Sequence, residues 1–142
     1  MRALLSLSLF ALALGVSSAD DKKDPTAGKW VVESVTRDGK ADDQLKGWTR
    51  THANGKYALK AGGGVKNEPI EGTYTVDDSK TPVTIDMKPT DGRYKDKTLM
   101  GIAKVDGDTL TVAFAEPGKD RPTSFESKAG SGVVVAVHKR AK

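Results

Sequence analysis

Turn-forming residues cut this chain into short segments, and that division constrains its fold more than any other feature. Asp38-Gly39, Asn54-Gly55, Gly62-Gly63-Gly64, Asp77-Asp78-Ser79, Asp91-Gly92, Asp106-Gly107, Pro117-Gly118 and Gly130-Ser131-Gly132 recur roughly every 8–15 residues, a spacing that indicates a sandwich or a barrel. Asn-Gly and Asp-Gly suit hairpin turns because both residues tolerate positive φ. Between the turns the side chains alternate with period two, which places one set on a buried face. Tyr57 and Leu59; Ile70, Tyr74 and Val76; Val83, Ile85 and Met87; Met100 and Ile102; and Leu110, Val112 and Phe114 form the apolar series. Thr84, Asp86, Lys88, Thr109 and Thr111 fill the opposite faces.

The first and last strands, Lys29 to Thr36 and Val133 to Lys139, read as more continuously apolar, as expected of strands covered on both sides. Only Asp42 to Lys46 looks helical, with a carboxylate at its start, Leu45 as its apolar contact and Gly47 as its end. All connections read as too short for the crossover that parallel pairing requires. The expected fold class is therefore all-β: an antiparallel, up-and-down β-barrel of about eight strands with one short helical turn, since closure removes the exposed edges of such a sheet. A sandwich is the second choice.

The start of the chain departs from this pattern. After Met1 and Arg2, residues 3–16 are apolar apart from Ser6, Ser8 and Gly15, and Val16-Ser17-Ser18-Ala19 offers small residues for a cut after Ala19. That is the pattern of a secretory signal peptide. The apolar run is shorter than the ~20 residues that span a bilayer and meets the charged stretch Asp20-Asp21-Lys22-Lys23-Asp24. The expected organisation is a signal peptide over 1–19, a charged linker over 20–25 and a single β-barrel domain over 26–142, exported to the periplasm or beyond the cell. The chain has no cysteine, so the domain must stand on its apolar core without disulfides. Its 23 basic and 19 acidic residues, net +4, are interleaved along 142 residues, the pattern of a solvated surface and not of a nucleic-acid partner.

Gly28-Lys29-Trp30, opening the first strand, resembles the Gly-X-Trp signature of lipocalins and related calycin barrels. The resemblance implies that Trp30 closes one barrel end, that a basic residue of the last strand, Lys139 or Arg140, lies over it, and that the turn at Asp42 to Gly47 closes the barrel base. A wider layout includes Arg37-Asp38-Gly39-Lys40, Leu45-Lys46-Gly47, Thr84-Ile85-Asp86, Lys97-Thr98-Leu99, Asp106-Gly107-Asp108-Thr109-Leu110 and Arg121-Pro122-Thr123-Ser124-Phe125. Over residues 26–140 it is similar to an uncharacterised lipocalin-like domain family expanded in planctomycete bacteria. That resemblance implies a calycin-type barrel and bacterial export, and carries no activity with it.

Catalytic and metal chemistry find little support in the residues. His52 and His138 are the only histidines and neither has a partner at ligand spacing. Asp77-Asp78 and Asp106-Gly107-Asp108 lack the twelve-residue loop of a calcium site, and Gly62-Gly63-Gly64 lacks the Lys-Ser/Thr end of a phosphate loop. No serine sits in a nucleophile elbow, and nothing selects a catalytic pair among Glu33, Glu68, Glu71, Glu116 and Glu126. The expectation is a non-enzyme with no cofactor and no metal. Pro122 holds Arg121 in an extended conformation, for a salt bridge or for contact with an anion.

Two roles follow. A closed barrel can hold one small ligand, with Tyr57, Tyr74, Met87, Met100, Ile102 and Phe114 as the expected lining of an interior that takes a small apolar molecule. Alternatively, the barrel has a solid core and its end loops bind or inhibit an envelope protein, with Trp48 either as an anchor or, in the preferred reading, as a cover of the barrel base beside Trp30. In either case the expected protein is a monomer, with no nucleic-acid partner and no stable membrane insertion once the signal is removed.

Overall fold

The computed structural model describes residues 24–62 and 69–142. The signal peptide expected over 1–19, and the first part of the linker, lie outside the described residues. Nine strands follow in order: β1 (Gly28–Arg37), β2 (Lys40–Ala41), β3 (Thr49–Ala53), β4 (Lys56–Lys60), β5 (Ile70–Asp77), β6 (Val83–Pro89), β7 (Leu99–Asp106), β8 (Thr109–Ala115) and β9 (Val133–Arg140). Every pairing is antiparallel, and each strand from β3 to β9 pairs with its predecessor or successor. β1 pairs with both β3 and β9, so eight strands close into a barrel and β2 remains as a two-residue spur on β1.

β1 is the seam. Gly28–Val31 lie against β3, while Trp30–Arg37 lie against β9 with a bulge between Val32 and Ser34. A bulge lets a strand bend and twist more sharply, and this one falls where β1 leaves its pairing with β3 and runs on against β9. The two hairpin signals nearest this seam adopt the expected backbone: Asp38 and Gly39 have φ of 49° and 81°, and Asn54 and Gly55 have φ of 54° and 78°. Consecutive positive φ values match the right-handed twist of the flanking strands.

Alternation places Trp30, Val32 and Val35 of β1, Tyr57 and Leu59 of β4, Ile85 and Met87 of β6, Ala103 of β7, and Leu110 and Val112 of β8 in one buried cluster. β1 itself is less continuously apolar than expected, since Lys29, Glu33 and Ser34 are exposed on its outer side. The expected helical turn is a single 3-10 turn, Asp43–Leu45, whose cap Asp42 accepts from Gln44 N through Oδ1 at 3.1 Å. Gly47 N donates to Val32 O and Val32 N to Trp48 O, both at 2.8 Å, so the turn returns the chain along β1.

One connection departs from the expectation that all are short. Residues 116–132 join β8 to β9 and fold back over the outer wall of the barrel. Arg121 Nη1 donates to Gly101 O at 2.8 Å and to Ile85 O at 3.3 Å and pairs with Asp86 Oδ1 at 2.8 Å. Pro122 is buried, Lys104 Nζ lies 4.6 Å from the Phe125 ring centre, and Gly39 N donates to Ser127 Oγ at 3.0 Å. This strap covers outward-facing side chains of β7 and β8 that period-two reasoning leaves without a core.

Candidate binding cavity

One end of the barrel is plugged by buried side chains, with a recess of about 320 Å³ beside Pro25 and Thr26 that Asp78, Lys80 and Thr81 also line, and the other end opens on a mostly apolar hollow. At the filled end Trp30 is fully buried and its Nε1 donates to Thr26 O at 2.9 Å. The Arg140 guanidinium lies 4.3 Å from the Trp30 ring centre, so of the two basic residues considered for this position it is Arg140 that covers the tryptophan. Gly28 beside them has φ of 126°, and a Cβ there would stand 3.3 Å from Arg140 Nη1. The three signature positions Gly28, Trp30 and Arg140 are thus in mutual reach.

A chain of buried polar groups runs inward from this end. Arg50 Nε donates to His52 Nε2 at 2.9 Å. A guanidinium can only donate, so His52 Nε2 is the lone-pair nitrogen and Nδ1 carries the proton, which it donates to Thr26 Oγ1 at 2.9 Å. Thr26 Oγ1 in turn donates to Asp24 Oδ1 at 2.6 Å, and the Tyr74 hydroxyl donates to Asp24 Oδ2. Asp24, placed by sequence in a charged linker, is therefore docked into the fold. His138 Nδ1 donates to Leu110 O at 3.1 Å, while its Nε2 is buried with no hydrogen-bond partner. Burial, reinforced by the Arg50 charge, holds His52 down at about 2 and His138 at about 3, so both rings are neutral. Burial and the adjacent Asp24 push the Tyr74 hydroxyl well above its ordinary value.

The other end opens on a cavity of about 320 Å³. Val35, Leu45, Leu59, Leu99, Val134 and Ala136 supply its apolar wall, and Arg37, Asp91, Arg93 and Glu116 stand among its lining. Arg50 also lines it. The volume falls at the lower end of the ~300–1,000 Å³ typical of small-molecule sites, which are likewise mostly apolar with a few polar groups.

Two strand glycines shape the surroundings of Arg50. Gly72 is paired with Tyr57 and Gly101 with Phe114. A Cβ at Gly72 would stand 2.7 Å from Tyr57 Cε1, and one at Gly101 would stand 2.7 Å from Phe114 Cδ1. Each glycine lets the opposite ring lie across the neighbouring strand, the close approach that glycine within a strand often marks. The rings so placed face Arg50 from two sides, each centre 5.7 Å from the guanidinium carbon.

Of the interior residues expected from sequence, Tyr57, Met87 and Phe114 line this cavity. Tyr74 is buried but belongs to the Asp24 network at the filled end. Met100 and Ile102 require correction: Ala103 and Val105, paired with Val112 and Leu110, are the core-facing residues of β7, so the even positions face outward, and Ile102 is buried there outside the core cluster. The short apolar run offered two phases, and the strap conceals the choice by burying part of the outer one. Of the two roles expected of Arg121, the structure shows the salt bridge: its Nη1 pairs with Asp86 and donates to two main-chain carbonyls on the outer wall. Leu45 lines the cavity with Val35, at the opposite end from Trp30, so the 3-10 turn sits at the hollow end and does not close the base beside Trp30. Trp48 is half-buried against the core cluster.

Comparison with family models, with curated proteins and with solved structures finds no match to this chain.

Proposed function

We propose that this protein is an exported, lipocalin-like carrier or sensor that takes a small, largely apolar ligand into the hollow end of its barrel, acting by binding and not by turnover. The observation that carries this reading is the cavity of about 320 Å³ walled by Val35, Leu45, Leu59, Leu99 and Val134. The hollow opens at the barrel end and its wall is almost wholly apolar, unlike the recess of similar volume beside Thr26, which Asp78, Lys80 and Thr81 help to line, and a mostly apolar concavity with a few polar groups is the usual form of a small-molecule site. At about 30 Å³ for each water-sized group, it accommodates about ten non-hydrogen atoms. The signature positions Gly28, Trp30 and Arg140 support the lipocalin-like assignment, and the first 19 residues support export to the periplasm or beyond. The protein is proposed to act as a monomer.

The test uses protein expressed from its full coding sequence in a bacterial host. Titration with the neutral apolar dye N-phenyl-1-naphthylamine is expected to give a saturable rise in fluorescence with one site per chain, and Leu99→Trp, which fills the cavity, is expected to abolish it. Native mass spectrometry is expected to show one copurifying small molecule or an empty chain that accepts one. Absence of saturable binding in both measurements would overturn the reading in favour of an envelope protein-binding module. A mature chain beginning at Asp20 in the exported fraction checks the leader.

A further inference from the structure

Arg50 sets the chemistry of the cavity floor. Its side chain is about as buried as the core itself, with 5% of the residue exposed, and its only hydrogen-bond acceptors among the described residues are His52 Nε2 at 2.9 Å and Met87 Sδ at 3.0 Å. Both are neutral, and a thioether is a weak acceptor. No described carboxylate forms an ion pair with it. The nearest carboxylate in its network is Asp24, reached through His52 and Thr26, and that carboxylate already accepts from Thr26 N, Thr26 Oγ1 and Tyr74. Nη1 of Arg50 donates to no described residue.

This arrangement is unusual energetically. Arginine is rarely fully buried unless paired, and an unpaired buried charge is costly enough that most groups neutralise instead. Arg50 does not escape in that way, because burial lowers it only to about 10, leaving it charged at neutral pH. The rings of Tyr57 and Phe114 soften the cost on two sides, yet neither supplies a countercharge. The remaining direction is the cavity, which Arg50 lines.

We propose that the ligand is an amphiphile with a single carboxylate head, and that Arg50 receives this head at the cavity floor while the aliphatic tail lies against Leu59, Leu99 and Val134. A carboxylate accepts two donors of a guanidinium in parallel, so it engages the free Nη1 and replaces the weak acceptor Met87 Sδ on Nη2. The rim carries both signs, Arg37 and Arg93 with Asp91 and Glu116, so discrimination by charge rests on the floor. The head is held among apolar walls where the attraction is poorly screened.

This inference rests on the carrier reading, and the test separates the two. Calorimetric titration of the full-chain product compares octanoate, octanamide and octylammonium, which share a tail and match closely in size. Octanoate is expected to bind about tenfold to a hundredfold more tightly than octanamide, as a charge-assisted hydrogen-bond pair gained or lost would give, and octylammonium is expected not to bind. Equal binding of octanoate and octanamide, or preference for octylammonium, would overturn the carboxylate inference while leaving the carrier reading in place. Failure of all three, together with the neutral dye, would remove the carrier reading itself. Arg50→Met is expected to erase the octanoate preference and keep octanamide binding; it removes a buried unpaired charge but leaves His52 Nε2 without its donor, and these opposing effects are expected to leave the thermal midpoint little changed. Retained octanoate preference in Arg50→Met would also overturn the proposal. Should that variant not fold, the three-ligand series on the natural chain decides alone.

Discussion

The two ends of this barrel solve the same problem by opposite means. Both must keep eight strands splayed around a common axis, yet the Trp30 end is plugged with an indole, two histidines, a threonine and a docked carboxylate, and its recess beside Pro25 and Thr26 is lined in part by Asp78, Lys80 and Thr81, while the other end opens between aliphatic walls. The plugged end uses directional bonds, several of which depend on the protonation state of a histidine or a carboxylate. The hollow end uses non-directional apolar contact, which tolerates a gap and can be completed by a ligand. The difference teaches where stability and where adaptability reside, and it makes the ends respond differently to the same perturbation.

Acid should separate them most. His52 and His138 are held at about 2 and about 3 in the fold, against about 6.5 in an unfolded chain. Below pH ~6.5 the unfolded state takes up protons that the folded rings refuse, so their contribution is complete above that pH and declines as pH falls toward 3. Two such groups give a slope of about 2.7 kcal/mol per pH unit, so an ordinary stability of ~5–15 kcal/mol would be largely lost within a few units. Asp42, held below its ordinary value mainly by its backbone bond to Gln44 N, adds a loss of the same sign as pH falls. Urea denaturation at pH 7.0, 5.5 and 4.5 should show the decline, and His138→Phe, which also removes the unpartnered Nε2, should halve the slope. An unchanged slope would place the acid sensitivity elsewhere than the plugged end.

Truncation comes next in size. Trp30→Ala empties the centre of the plug and should cost about 3–5 kcal/mol at neutral pH. Leu99→Ala trims a half-buried wall of a space that is already open, so little new cavity is formed and the cost should be about 1 kcal/mol. Equal losses in urea midpoints would mean that the hollow end is packed more tightly in solution than its geometry implies.

The barrel was legible in sequence because its signals are local: Asn54-Gly55 and Asp38-Gly39 fix two turns through φ alone, and alternation fixes which face is dry. Trp30 with Arg140 was legible through a short motif. Arg50 was not singled out, although the information was present. A two-residue hairpin at Asn54-Gly55 forces Arg50 opposite Leu59 and His52 opposite Tyr57, which puts both polar residues on the dry face. The habit of assigning charged residues to the wet face hides them. Met100 and Ile102 failed for a converse reason: the strap over 116–132 buries part of the outer face of β7, and a face covered from outside is indistinguishable by hydropathy from a face turned inward. Residue pairs far apart in sequence, such as Arg121 with Asp86, carry no local signal at all.

The strand glycines give a smaller and more local contrast. Gly101→Ala puts a methyl against Phe114 Cδ1 and Ala113 O, which stand 2.7 Å and 2.5 Å from that position, and should cost about 1–3 kcal/mol as the ring is displaced. The displaced ring no longer flanks Arg50, so octanoate affinity should fall together with stability. Gly118→Ala, in the strap and outside the cavity lining, has no atom within 4 Å of the added carbon but sits at φ of 88°, so it should cost stability through the backbone alone and leave the octanoate affinity unaltered. Parallel losses of affinity in both variants, measured by calorimetry, would dissociate Phe114 from the floor.

The smallest effect compares two cations that each lie over a ring, one at each end. Arg140 stands 4.3 Å from the centre of the fully buried Trp30 ring and pairs loosely with Asp108 at 3.5 Å, so Arg140→Ala should cost about 0.5–1 kcal/mol, the scale of a partly exposed cation over an aromatic face. Arg93 stands 5.2 Å from the Tyr94 ring centre at the hollow end, on an exposed loop where neither partner closes a core, so Arg93→Ala should change the unfolding free energy from urea denaturation by no more than ~0.5 kcal/mol. An arginine over an aromatic ring thus contributes chiefly where it seals a plug. A larger loss from Arg93→Ala than from Arg140→Ala would mean that the hollow end, and not the Trp30 end, is the one its arginine holds together.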